Sequence, residues 1–329
     1  MKVLLLGGTG RISTDAAAAL AKRGCEITLV TRGRRPVPKG YSVITVDRYD
    51  KAGFAEAVKD WRGGVAIDFI CFNKAQGEIA YEALRGKVGQ YIFISTAAVY
   101  YKHPSTPLPL TETTPRWARY WEYSRLKAEC EDWFATIGGP DFPVTTVRPS
   151  HTLAPGEIPG PFGGSDWTLA ARMLAGRPFV LPDDGQSLWT FTAASDFAQG
   201  LAGLVGNPAA VGETFHITSD SPMTWNCIFQ EVGQAVGREP KVVHVPAEFI
   251  CRQYPQFLGA LLDDKGQHSA FDNTKIKRFV PDFECAKSPR RLLRDAVAWR
   301  LADPARQTAN PNTNRIHDAL IRKWRTKQG

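Results

Sequence analysis

The 329-residue chain has no apolar run long enough to cross a bilayer, which takes about 20 consecutive apolar residues. Its N-terminal Leu4-Leu5-Leu6 run meets Gly7 at once, so it is too short for the apolar centre of a signal peptide. A cytoplasmic protein without a membrane partner is expected. Six cysteines, Cys25, Cys71, Cys130, Cys227, Cys251 and Cys285, are scattered and no two are spaced C-x-x-C. That excludes a disulfide framework or a zinc ribbon as the organising principle and predicts free thiols in a reducing compartment. The histidines show no H-E-x-x-H or comparable spacing, so no metal is expected. The net charge is +8, yet a long basic stripe interleaved with aromatics is missing. Much of the excess lies in Arg32-Gly33-Arg34-Arg35 and in Arg322-Lys323-Trp324-Arg325-Thr326-Lys327. Attraction to an anionic small molecule needs no more than this, and nucleic acid is the less favoured partner.

What is present begins with Val3 to Leu6, an apolar run that ends in Gly7-Gly8-Thr9-Gly10-Arg11-Ile12-Ser13 and is followed by the Ala-rich Ala16–Ala21. Strand, glycine turn and helix in that order build a pocket for a dinucleotide pyrophosphate. The helix N-terminus offers backbone N–H groups, and glycines let the backbone come close. Ser13 stands where a third glycine is usual.

Through the first half, apolar strands alternate with helices. Strands are expected at Val3–Leu6, Glu26–Thr31, Val43–Val46, Val65–Cys71, Tyr91–Ser95 and Val144–Val147. Helices are expected at Thr14–Lys22, Gly53–Trp61, Ile79–Leu84 and Arg116–Ala135. Near-continuous apolar strands imply a parallel sheet covered on both faces. The predicted fold is therefore α/β, a Rossmann-like doubly wound parallel sheet with a smaller C-terminal α/β substrate-binding lobe. Residues 1–150 form the dinucleotide-binding unit, completed by parts of 190–218. Residues 151–304, opening on the breaker-rich loop Pro155–Gly164, mainly form the lobe. A strand near Trp189–Thr192 and helices at Trp167–Leu174, Ser195–Val205 and Trp225–Val236 are expected there. Residues 305–329 read as an exposed linker (Ala305–Thr313) and a basic helix (Arg315–Trp324).

Tyr123-Ser-Arg-Leu-Lys127 lies on the long helix, where a spacing of four puts phenol and ammonium on one face. A free tyrosine titrates near pH ~10, and a fixed cation beside it lowers that value. The pair suits proton transfer to or from a hydroxyl or carbonyl; a surface i,i+4 contact is the other reading of the same spacing. Tyr91-Ile-Phe-Ile-Ser95-Thr96-Ala97-Ala98-Val99-Tyr100 precedes it and would bring its hydroxyls to the C-terminal strand end, beside the crevice.

In order, Gly7-x-x-Gly10, Ser95-Thr96-x-x-Val99-Tyr100, Thr111-Glu112, Tyr123-x-x-x-Lys127 and Arg148-Pro149 resemble the extended short-chain dehydrogenases/reductases, the NAD(P)-dependent epimerase/dehydratase group. The resemblance continues in Ser195-Asp196-Phe-Ala and Gly212-Glu213-Thr-Phe-His216-Ile, so it covers roughly residues 1–300. It implies a hydride-transferring oxidoreductase or epimerase acting on a sugar or sugar-nucleotide-like substrate. Tyr123 is then the general acid or base, and Thr96 holds the reacting oxygen with Ser95 as its neighbour. Lys127 binds the nicotinamide ribose and lowers the Tyr123 pKa. Gly7, Gly10, Arg11, Ile12, Thr31, Arg32 and Asp47 contact the cofactor. It also implies a homodimer through the helices near Ile79–Leu84 and Arg116–Ala135.

Departures from the pattern narrow the chemistry. Ala97 and Ala98 replace the Asp-Glu pair of the dehydratases, which argues against 4,6-dehydration. Trp189 replaces an arginine that grips a diphosphate, and Lys265 takes the place of a second. Trp189 reads either as a stacking surface for a sugar or as a core residue. His151, after Arg148-Pro149-Ser150, reads as a substrate contact or a structural histidine. The polar stretch from Asp263 to Lys275 reads as substrate wall or surface loop. At the second strand's end, Thr31 replaces the acidic residue of NAD-preferring members, and two arginines, Arg32 and Arg34, follow. Guanidinium groups without a carboxylate favour NADP over NAD; the other reading of Arg34 and Arg35 is a solvated loop. The chloroplast stem-loop-binding proteins are also similar, in Thr31-Arg32-Gly33, Ala97/Ala98-Val99-Tyr100 and the second half. They make a non-catalytic RNA-binding or regulatory protein the alternative.

Overall fold

Strand β1 (Lys2–Leu6) shows why the sheet is buried on both sides. Val3 and Leu5 join the apolar layer that includes Ala16, Leu20 and Phe197. Leu4 and Leu6 join the opposite layer with Phe54, Tyr91 and Phe134. Alternate side chains of a strand point to opposite faces, so a strand lined with leucine on both faces needs helices on both. The computed structural model describes residues 1–328. After β1 come α1 (Arg11–Lys22), β2 (Glu26–Thr31), β3 (Ser42–Thr45), α2 (Lys51–Ala57), β4 (Gly63–Asp68), α3 (Lys74–Leu84), β5 (Val88–Ile94), α4 (Glu122–Ile137) and β6 (Val144–Pro149). The sheet is closed by β11 (Thr214–Ile217), in the order β11-β6-β5-β4-β1-β2-β3, and every adjoining pair is parallel. Strand order reverses at the β1/β4 boundary, which puts the ligand crevice beyond their C-terminal ends. This is the expected doubly wound fold.

The lobe is built from β7 (His151–Leu153), α5 (Thr168–Leu174), β8 (Phe179–Pro182), β9 (Leu188–Trp189), β10 (Phe191–Ala193) and, beyond α6 (Ala194–Leu204) and β11, β12 (Met223–Thr224), α7 (Trp225–Val236) and β13 (Val242–Val245). Then follow α8 (Ala247–Gln253), α9 (Leu258–Ala260), a π-helical turn Leu261–Lys265, α10 (Thr274–Phe279), α11 (Pro289–Leu301) and α12 (Pro311–Gln328). Its strands pair in twos, β7 with β10, β9 with β12 and β8 with β13, around Trp167, Phe179, Trp189, Trp225 and Phe229. Among the described residues, no helix is long and apolar enough to cross a membrane.

Three departures from the sequence reading have a visible cause, beyond small shifts such as α2 ending at Ala57 and β4 at Asp68. Helix α4 starts at Glu122, not Arg116. Residues before it run alongside the 97–101 segment, with Trp117 N donating to Val99 O at 3.1 Å, while Arg116 folds back to Glu131 and Asp132. The strand expected across Trp189–Thr192 is cut at Thr190, whose hydroxyl turns to Ser269 O at 2.5 Å. The expected linker 305–313 is drawn onto the body: Asn310 N donates to Thr168 Oγ1 at 2.8 Å and α12 begins at Pro311. Buried Leu320 and Ile321, and Asp318 bonded to Arg172 at 2.7 Å, dock that basic helix. Its apolar stripe was masked by the surrounding charge.

Candidate active site

The glycine turn is held by its own atoms. Gly7 adopts φ +84°, in the left-handed region, and a Cβ there would lie 2.7 Å from Ile70 Cγ2. A Cβ on Gly8 would lie 2.5 Å from Leu29 Cδ2. Gly10 opens α1, and its N–H donates to Ser13 Oγ at 2.8 Å. Ser13 Oγ in turn donates to Gly7 O at 2.7 Å. Ser13 is thus a working part of the turn, pinning its two ends together. The first turn of α1 carries no acidic residue, so its positive end is left for an anion. Arg11 pairs with Glu157 of the lobe at 2.8 Å, and Ile12 packs against the core layer under α1.

The second-strand residues gather at the same end. Thr31 is buried and its Oγ1 accepts from Gly33 N at 3.0 Å. Arg32 lies 4.0 Å from Asp47, and Arg35 Nη1 donates to Thr9 O at 3.0 Å, bringing the basic loop over the glycine turn.

Thr96 follows β5 and opens a short 3₁₀ turn, its Oγ1 accepting from Ala98 N at 3.2 Å. Ser124 Oγ donates to Ala98 O at 2.6 Å, docking α4 against that turn. Thr96 and Tyr123 line one cavity of about 200 Å³ together with Lys102, His151, Trp189 and Lys265. Burial holds the Tyr123 phenol above its usual pKa, with the Thr96 hydroxyl pulling it down. The phenol is therefore protonated at neutral pH and is set to donate.

Two sequence expectations are corrected here. Lys127 is not the group that lowers the Tyr123 pKa in this structure. It is 1% exposed and its Nζ donates to Cys71 O at 2.6 Å and Ile94 O at 2.7 Å. Its position one turn deeper on α4 takes it to the strand ends, where burial lowers its own pKa. Ser95 does not reach the cavity. Neighbouring residues at a strand end point opposite ways, and Ser95 Oγ donates to buried Glu131. Arg148 grips the same carboxylate through Nε at 2.9 Å and Nη2 at 2.5 Å.

The other wall comes from the lobe. Lys102 and Asp264 form a buried ion pair, 2% and 7% exposed. The neighbouring Asp263 carboxylate accepts from Tyr120 N at 2.6 Å and Trp121 N at 2.7 Å, just ahead of α4. Trp189 serves as both wall and core. It stacks on Trp225 at 5.4 Å, carries Lys265 Nζ 4.5 Å from its ring centre, and donates its indole N–H to His151 Nδ1 at 3.1 Å. His151 sits with Ser165 Oγ 3.2 Å from its other nitrogen. Burial foremost, then Lys265 and Arg11, holds its pKa well below the usual value, so the ring is neutral and lines the cavity as a structured wall. Lys102, Trp121, Asp264 and Ser269 also line it and carry no spacing signal. Only the polar density of 263–275 hinted at two of them.

A model of the NAD dependent epimerase/dehydratase family matches residues 73–218. The 2'-dehydrokanamycin reductase of Streptomyces kanamyceticus is 25% identical over 301 residues, covering 90% of this chain and 84% of that protein. The chloroplast stem-loop binding protein of 41 kDa b of Arabidopsis thaliana is 28% identical over 267 residues, 75% of this chain and 67% of that one. Among solved structures, the Thermus thermophilus UDP-glucose 4-epimerase complex with NAD superposes with a TM-score of 0.70 at 20% identity, covering 91% of this chain and 98% of that chain.

Proposed function

We propose that the chain, which a model of the NAD dependent epimerase/dehydratase family matches over residues 73–218, is an NAD(P)-dependent oxidoreductase or epimerase acting on a hydroxyl or carbonyl carbon of a sugar or sugar-nucleotide-like substrate. The observation that carries this reading is the meeting of Thr96 and Tyr123 in one cavity. The residues present fit a dinucleotide. The left-handed Gly7, the Gly10 opening of α1 and a first helical turn free of carboxylates form an anion cradle. Gly7, Gly10, Arg11 and Ile12 would hold the pyrophosphate side, and Thr31, Arg32 and Asp47 the adenosine side. Lys127 would hold the nicotinamide ribose. When bound, the nicotinamide supplies a hydride acceptor or donor. Thr96 orients the reacting oxygen, and Tyr123 gives it a proton in reduction or takes one in oxidation. His151, Trp189 and Lys265 shape the substrate side. Ala97 and Ala98 offer no acid or base for eliminating water.

NADP is favoured over NAD by the Arg32–Arg35 loop beside Thr31. The six free cysteines support a reducing, cytoplasmic setting. A homodimer would pack through α3 and α4. The RNA-binding alternative gains nothing from the cavity, whose donors and hydroxyls are set for a small polar ring.

Tyr123→Phe tests the reading. It should lower turnover by a factor of roughly 10²–10⁴, the usual worth of a positioned acid or base, while the cofactor still binds. Unchanged turnover would remove Tyr123 from the chemistry.

A further inference from the structure

We propose that Glu157 of the lobe is a positioning residue for the cofactor: it holds the Arg11 guanidinium at the glycine turn and leaves the outer nitrogens of that guanidinium for the dinucleotide pyrophosphate. This rests on the hydride-transfer reading, which supplies the dinucleotide, and adds a residue of the lobe to those that retain it.

The contact joins the two halves of the molecule. Arg11 is the first residue of α1, directly after Gly10, and its Nε lies 2.8 Å from Glu157 Oε1. Glu157 itself belongs to the breaker-rich loop between β7 and α5. The carboxylate is held from behind. Its side chain is 11% exposed, Oε2 accepts from Ala154 N at 2.9 Å, and the Glu157 N–H donates to Ala154 O at 3.1 Å. The tight turn so formed passes through Gly156 at φ +78°, where a Cβ would lie 2.2 Å from Trp299 Cε3. Arg300 Nε donates to Gly156 O at 2.7 Å, so α11, which carries Trp299 and Arg300, backs the turn. On the other side, Glu157 engages one nitrogen of Arg11. Among the described residues, Arg11 Nη1 and Nη2 make no hydrogen bond or ion pair, and the side chain is 61% exposed, so a ligand can reach them. Two parallel N–H groups match two oxygens of a phosphate. The charges point the same way. A carboxylate taken out of water needs a partner, and one beside an anion cradle repels the anion unless it serves a cation there. Both Glu157 oxygens are occupied, one by the turn and one by Arg11, so its charge is directed at the guanidinium.

The test is a fluorescence titration of the full chain with NADPH and with NADH, for the wild type, Arg11→Met, Glu157→Ala and the double variant. Arg11→Met should weaken both dinucleotides about tenfold, the size of one charge-assisted hydrogen bond, because both carry the pyrophosphate. Glu157→Ala should weaken both several-fold in the wild-type background and leave binding unchanged in the Arg11→Met background, since it acts through that guanidinium. Glu157→Asp, which keeps the charge and withdraws it by one methylene, should show the same pattern in milder form, and it carries the cycle if circular dichroism finds Glu157→Ala unfolded. A Glu157 that merely supports the loop would give equal losses in both backgrounds, and that result overturns the proposal. Unchanged or tighter binding by Glu157→Ala overturns it too, as does an Arg11→Met loss confined to NADPH, which would put Arg11 on the 2′-phosphate. A wild-type chain that binds neither dinucleotide removes the hydride-transfer reading and the proposal with it. A wild-type chain that binds them without the coupling removes the proposal alone.

Discussion

The hydrogen bonds that shape the glycine turn join residues three and six positions apart, Gly10 to Ser13 and Ser13 to Gly7. Across the cavity the spans are 38 positions for Trp189–His151, 142 for Trp121–Asp263 and 162 for Lys102–Asp264. The first region is set by local backbone geometry and one serine. The second exists only after the lobe has packed against the sheet. A locally determined site tolerates change elsewhere in the chain, whereas one assembled at long range fails whenever docking fails.

Asp264→Ala breaks the long-range side most severely. It leaves Lys102 buried without its partner, a loss of roughly 3–5 kcal/mol, readable as a lower urea midpoint. A loss close to zero would mean the pair is dispensable and the contrast false. Acid should also attack the long-range side. His317 on α12 is fully buried and accepts from Val180 N at 3.1 Å. Burial, and then Arg172, push its pKa down to about 3 from 6.5. Below 6.5 the unfolded chain therefore binds the extra proton, and stability falls as pH drops from there towards 3. His317→Gln should flatten that decline in urea midpoints taken across the range.

On the local side, Ser13→Ala removes an acceptor from Gly10 N and a donor from Gly7 O. About 1–3 kcal/mol is expected for such a loss, together with weaker dinucleotide binding and an unaltered urea-midpoint loss on adding Asp264→Ala. A non-additive double variant would show that the two regions are coupled. The smallest effect is cofactor choice: NADPH should bind about tenfold more tightly than NADH, one charge-assisted contact, in a fluorescence titration. Equal affinities would remove the arginine argument at Arg32.

The same contrast explains what could be read in advance. Leu4, Leu6 and Phe93 announce a two-sided sheet because burial on both faces demands apolar residues in succession. Tyr123 and Thr96 were legible through spacing and order. Ser95 was misplaced because strand alternation at the end of β5 cannot be read without the exact register. Lys127 was assigned an effect on Tyr123 that a four-residue spacing allows, but strand-end carbonyls drew its ammonium away. Lys102 and Asp264 are ordinary surface residues in one dimension, since nothing local distinguishes a lysine that will meet its carboxylate 162 positions later. The start of α4 is hidden for the same reason, because the N–H groups just ahead of it, on Tyr120 and Trp121, are taken by Asp263, 143 and 142 positions away.

That carboxylate has a mechanical consequence. Asp263 grips the two N–H groups at the head of the helix that carries Tyr123, and it belongs to the same π-helical turn as Asp264 and Lys265. One five-residue turn therefore both walls the cavity, through Asp264 and Lys265, and braces the head of the helix that aims the phenol, so the position of the wall and the aim of the proton donor are set by a single piece of backbone.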